Sequence, residues 1–177
     1  MLWLFAIVLG VVFGLVTGGR IGNLAGLRFR WPWLIIAAVV VRESVVLTPL
    51  GRVYGARYAY VLALAAIVAW TIWQFDRVRG IWLITAGAAL NLLVIVVNGA
   101  RMPVAPEFAV ALLRRGNVGQ YTVMGSGTQL NLLGDWVSLY PSPEVYSPGD
   151  VLIALGLAIV VFLAVRNPSV YKELTPP

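Results

Sequence analysis

Five apolar stretches follow one another along the chain, separated by short groups of Arg, Gly, Pro and aromatic residues. A helix rises about 1.5 Å per residue, so roughly 20 apolar residues cross the hydrocarbon layer of a membrane. The stretches cover about 2–18, 32–48, 58–75, 81–97 and 151–165. They predict an all-α membrane protein, a bundle of about five transmembrane helices forming a single domain over residues 1–177. Between the fourth and fifth, residues 99–149 are too broken by Gly, Pro and polar side chains to cross lipid, where each backbone group needs a partner inside the protein. This segment is expected to be one long extracytoplasmic loop carrying short interfacial helices. Glu107 to Arg115 reads as one, with acid at its start, Arg114 and Arg115 at its end and Gly116 as a C-cap. Leu130 to Tyr140 reads as another, lying at the interface or dipping in as a re-entrant element.

Within the spans, spacing assigns roles. Ala6, Gly10, Gly14 and Gly18 recur every fourth residue of the first, so small residues line one helix face and let another backbone approach closely. In the fourth, Gly87, Asn91 and Asn98 fall on one face, and amides in lipid generally hydrogen-bond to a neighbouring helix; Asn91 is assigned to packing. Trp31-Pro32-Trp33 opens the second span with Pro near the first helical position and aromatics at interface depth. Ser147-Pro148-Gly149-Asp150 introduces the fifth as a capping box. The first span lacks the basic leading segment of a cleaved signal peptide and is read as a retained helix.

Composition strengthens this picture. Hydrophobic residues make up 60% of the 177 and charged ones 11%, against roughly a quarter charged in a soluble domain. A net charge of +6 would raise nucleic acid as a partner in a soluble protein. Here all the basic residues except Arg42 lie in loops or at span ends, where they orient helices and meet lipid headgroups, so membrane lipids are the expected partner and nucleic acid is not. With the N-terminus outside, Arg20, Arg28, Arg30, Arg77, Arg79, Arg166 and Lys172 are cytoplasmic, against Arg52, Arg57, Arg101, Arg114 and Arg115 on the outer side. Arg114 and Arg115 sit mid-loop and count for less, so the positive-inside rule favours a cell-membrane protein with N-terminus out and C-terminus in.

The chain has no Cys and no His, which removes disulfides, thiol nucleophiles, Cys/His zinc sites, histidine-ligated haem and His-dependent triads. No nucleotide loop or cofactor motif is present, and no cofactor is expected. The chemistry left belongs to carboxylates, hydroxyls, amides and guanidinium groups. Arg42 and Glu43 lie inside the second span, where charge is costly. Arg42 snorkels to the headgroups paired with Glu43 or a loop carboxylate, faces a ligand or substrate, or stands at a subunit interface. In the N-out arrangement Arg42, Glu43, Asn98, Arg101 and Asp135 converge on the outer membrane face and are the expected ligand-binding residues of one outward-facing pocket. Asp150 reaches the same face but is accounted for by its cap. Asp135 and Asp150 form a carboxylate pair able to share acid and base roles. Asn131 to Asp135 is loosely similar to the Asn-x-x-Asp element of lipoprotein signal peptidases, but is one residue too long.

Three motifs carry a broader resemblance: Asn98-Gly99-Ala100-Arg101-Met102-Pro103-Val104, Thr128-x-Leu130-x-x-Leu133-Gly134-Asp135 and Ser147-x-Gly149-Asp150. With Gly18-Gly19-Arg20-x-x-Asn23-Leu24, they resemble an uncharacterised bacterial family of small multi-pass membrane proteins, a domain of unknown function. The family more often carries a second Gly where this chain has Ala100. The resemblance implies membrane architecture and marks these loops; it implies no reaction. The leading functional expectation is a binding or accessory protein whose pocket takes a small anionic ligand, a lipid headgroup or a partner segment. Two others stay open: a structural subunit bound to a membrane-protein partner, and a membrane enzyme acting on a lipid-linked substrate or peptide through Asp135 and a second carboxylate.

Overall fold

The structure, a computed structural model, describes residues 1–47, 55–109, 120–139 and 144–166. It is mostly helical. Five helices cover the apolar stretches: α1 (Leu2–Val16), α2 (Pro32–Leu47), α3 (Ala56–Trp73), α4 (Ile81–Val97) and α5 (Pro148–Arg166). Of these, α3 and α5 are long and apolar enough to cross a membrane, while α1 and α4 are shorter apolar helices.

Local chemistry sets the ends. Gly18 has φ +91°, its N–H donates to Leu15 O at 2.9 Å and the Gly19 N–H donates to Gly14 O at 2.9 Å. This is a Schellman cap closing α1. Gly18 therefore departs from the small-residue seam: a Cβ there would meet nothing within 4 Å, whereas one on Gly19 would lie 2.5 Å from Val165 O. α4 closes in the same way through Gly99 and Ala100, whose N–H groups reach Val96 O at 3.2 Å and Ile95 O at 2.8 Å. α5 begins three residues earlier than its apolar run because the cap is reciprocal: Asp150 N–H donates to Ser147 Oγ at 2.9 Å and Ser147 N–H to Asp150 Oδ2 at 3.1 Å.

The helices pack in the order α1, α5, α4, α3, α2. Gly10 and Gly14 bring α1 onto α5: a Cβ on Gly10 would lie 2.5 Å from Ala158 O, and one on Gly14 2.6 Å from Val165 Cγ1. Gly156 of α5 lies as close to Ile84 of α4, and Gly87 of α4 meets the Gly149 carbonyl. Small residues thus set the two tightest helix contacts. The outward helix faces are apolar, with Leu4, Phe5, Phe13, Ile36, Leu62 and Leu155 all more than half exposed.

Chain direction alternates, so two ends can be told apart. One gathers the start of α1, the end of α4 and the start of α5: the Met1 ammonium pairs with Glu144 at 2.9 Å and Leu2 N–H donates to the Tyr146 hydroxyl at 3.3 Å. The opposite end gathers the 18–31 and 74–80 connectors with the end of α5. There a 3-10 turn, Ile21–Gly26, is held to α5 by Asn23 Nδ2 donating to Val165 O at 2.7 Å. Arg30 clamps α2 to α3, donating to both Asp76 carboxylate oxygens at 2.7 Å, while the buried Gln74 amide grips the Arg30 backbone.

The segment after α4 corrects the all-α expectation. β1 (Met102–Val104) pairs in parallel with β2 (Tyr121–Val123), and β3 (Val137–Ser138) pairs antiparallel with β4 (Val145–Tyr146). Asp135 joins the far side of β1 through a bridge to Val104. Where a helix was expected from Leu130, residues 130–139 form no α-helix: a 3-10 turn, Asn131–Leu133, ends at Gly134, whose extended backbone (ψ −170°) leads into this bridge; Tyr140 lies outside the described residues. A helix does start at Pro106, and residues 106–109 are helical; Arg114, Arg115 and Gly116, the expected end of that amphipathic helix, lie outside the described residues, as do Arg52 and Lys172. β1 is buried throughout, so the segment folds down onto the helices as a cap.

Candidate polar cavity

Beneath this cap is a cavity of about 80 Å³, lined by Arg42, Tyr60, Asn91, Ile95, Met102, Gln120, Tyr121, Asp135 and Asp150. The polar residues come from six pieces of chain: Arg42 from α2, Tyr60 from α3, Asn91 from α4, Gln120 and Tyr121 from the β2 arm, Asp135 from the turn beside β1 and Asp150 from the first turn of α5. A hydrophobic collar of Tyr60, Val94, Ile95 and Met102, joined by Val45, Tyr121 and Leu133, packs around it.

Asp135 is fixed by its backbone. Its N–H donates to Pro103 O at 2.8 Å, and Ala105 N–H donates to its carbonyl at 2.9 Å. The side chain, in a residue 6% exposed, lines the cavity, and its Oδ1 is buried with no hydrogen-bond partner among the described residues. An unpartnered carboxylate oxygen is costly to bury. Burial first and the charge of Asp150 second push this carboxyl up to about 8. It therefore holds its proton at neutral pH and can donate a hydrogen bond. Burial, then the neighbouring Asp135, likewise push the Tyr121 hydroxyl above the ordinary phenol range.

Asp150, Asn91 and Arg42 each have partners of their own. Asp150 Oδ1 accepts from Asn91 Nδ2 at 3.0 Å, and Asn91 Oδ1 accepts from the buried Ser147 hydroxyl at 2.8 Å. Asn91 thus ties α4 to the cap of α5 while presenting its edge to the cavity. Arg42 pairs with the adjacent Glu43 and reaches the Tyr60 hydroxyl. Arg42 thus pairs with Glu43 and places its side chain at the cavity wall.

Of the five residues expected to bind ligand, Arg42 and Asp135 line the cavity. Glu43 does not; it holds Arg42. Asn98 is a latch: its Oδ1 accepts from Gln129 N–H at 2.8 Å and its Nδ2 donates to Gln129 O at 2.9 Å and to Val94 O at 2.8 Å. Arg101 is exposed and lies off the lining. Sequence reasoning missed Tyr60, Gln120 and Tyr121. Only the parallel pairing of β1 with β2 brings the last two in, and no local periodicity encodes a pairing across a 16-residue connection. Tyr60 carried a usable signal, a hydroxyl-bearing ring one helical step inside a largely apolar span. Among the described residues no cluster of three or more His, Cys, Asp or Glu side chains could hold a metal ion.

No curated protein and no solved structure is significantly similar to the chain. A family model does match, over residues 26–162. That stretch holds the cap, every cavity residue and the three motifs Asn98–Val104, Thr128–Asp135 and Ser147–Asp150, whereas Gly18–Leu24 precedes it. The chain belongs to the family of unknown function DUF5317.

Proposed function

We propose that this chain is a multi-pass integral membrane protein of the cell membrane, with its cap outside, and that the cavity beneath the cap binds a small anionic group. Membrane crossing is supported by the exposed apolar helix faces and by two tiers of exposed tryptophan: Trp3 and Trp136 at the cap end, and Trp31, Trp33, Trp73 and Trp82 at the other. Indole rings favour the two membrane interfaces.

The observation that carries the binding reading is the unpartnered, buried Asp135 Oδ1 facing a cavity that also holds the Arg42 guanidinium. A ligand carboxylate or phosphate oxygen would accept from the protonated Asp135 and from Arg42, whose planar fork suits such anions. The cavity is small beside the roughly 300–1,000 Å³ of sites that enclose a whole drug-sized ligand. It would therefore hold the polar end of a molecule whose remainder lies elsewhere, or a compact ion.

Native mass spectrometry of the protein, gently extracted from its own membrane, tests this. The expected result is a reproducible small bound mass that Arg42→Ala reduces by an order of magnitude or more. A stoichiometric protein partner with no small mass would replace this reading with that of a structural subunit, the polar cluster then serving assembly.

A further inference from the structure

The end opposite the cavity carries a second concentration of charge. The 3-10 connector packs on α5 through Leu24, Leu27 and Phe29, which meet Val78, Ile81, Val160 and Ala164 in one apolar cluster. Five arginines are chain neighbours of residues at that end. Arg28 lies between Leu27 and Phe29; Arg77 and Arg79 flank Val78; Arg20 donates its backbone N–H to Val165 O at 3.0 Å, next to Arg166. By chain position the five arginines therefore gather at this end of the helices as a basic ring.

One carboxylate among the described residues, Asp76, stands at this end; both its oxygens accept from Arg30 at 2.7 Å, and it also feels the charge of Arg77. Arg20, Arg28, Arg79 and Arg166 are exposed and have no salt-bridge partner among the described residues. Arg77 supplies an independent observation: its Nε is buried with no hydrogen-bond partner among the described residues, a donor in need of an oxygen acceptor. The exposed rings of Trp31, Trp33 and Trp73 stand at the same end, the depth at which lipid headgroups lie.

We propose that this arginine ring is a binding site for the phosphate headgroups of anionic phospholipids, with Arg77 and Arg79 as its principal contacts. The inference rests on the membrane reading above and is independent of the cavity. Clustered arginines draw anionic lipid electrostatically, and guanidinium groups chelate phosphate oxygens.

The test uses the full chain reconstituted in nanodiscs of phosphatidylcholine alone and of equimolar phosphatidylcholine and phosphatidylglycerol, with retained lipids counted by native mass spectrometry. Retention should favour phosphatidylglycerol. Arg77→Gln with Arg79→Gln should cut that preference by about tenfold or more, Arg20→Gln with Arg166→Gln should weaken it through the other half of the ring, and Arg57→Gln at the cap end should leave it unchanged. If one pair fails to fold, the other still decides. Incorporation into both discs with no phosphatidylglycerol preference, or an equal loss in Arg57→Gln, would overturn the site while leaving the membrane reading intact. Displacement of the lipid by inorganic phosphate, but not by chloride of matched ionic strength, would overturn the lipid assignment in favour of free phosphate. Failure to enter either disc would remove the membrane reading and this inference with it.

Discussion

At the residue scale, Asp135 carries the sharpest consequence. Its carboxyl titrates at about 8 in the folded chain, against roughly 3.9 when unfolded. Below about pH 4 both states hold the proton and the folded state carries no penalty. Between about pH 4 and pH 8 only the folded chain keeps it, so stability falls steadily, by a total on the order of a few kcal/mol above pH 8. Asn resembles the protonated acid in shape and retains a donor. Asp135→Asn should therefore raise the unfolding temperature at pH 8 and flatten its pH dependence between about 4 and 8 in thermal unfolding scans; an unchanged slope would mean another group governs it. Ala100 offers a second test. It has φ +65°, a left-handed conformation that costs a residue with a Cβ roughly 1–2 kcal/mol. Glycine, which the resemblance implies at this place, adopts this conformation without that cost. Ala100→Gly should stabilise the protein by about 1 kcal/mol in denaturant titration, after part of the gain is lost to glycine's freedom when unfolded. Asp135 was legible in sequence as a carboxylate in Leu133-Gly134-Asp135-Trp136. Its cavity neighbours Gln120 and Tyr121 were not, because pairing across a distant strand leaves no local trace.

At the element scale, periodicity located the helices well. The fourth coincides with its apolar run, and the others shift only at their ends, where caps decide. Ser147 and Asp150 start α5 ahead of its apolar residues, and Gly18 turns the chain out of α1. The four-residue repeat was therefore two things: a seam at Ala6, Gly10 and Gly14, and a cap at Gly18. A side chain at Gly14 would strike Val165 on α5. Gly14→Leu should separate α1 from α5 and lower the unfolding temperature by several degrees, whereas the same change at Gly125, where a Cβ would meet nothing within 4 Å, should move it little. The loop was the least legible element. Gly, Pro and polar residues marked it as non-spanning, but short strands paired over long sequence distances have no composition of their own.

At the scale of the whole molecule, alternating helices place the two polar features at opposite ends: the cavity under its cap, and the arginine ring around the base of α5. Five of the seven basic residues that set the charge bias in the sequence, Arg20, Arg28, Arg77, Arg79 and Arg166, belong to this ring. Their separation makes orientation the claim on which the rest depends, since an outward cavity requires an inward ring. The absence of native cysteines makes the most direct measurement clean: single Ser126→Cys and Ala25→Cys variants, one exposed in the cap and one in the 3-10 connector, treated with a membrane-impermeant maleimide in intact cells. The account predicts labelling of Ser126→Cys at once and of Ala25→Cys only after permeabilisation. Labelling of both in intact cells, or the reverse order, would contradict it.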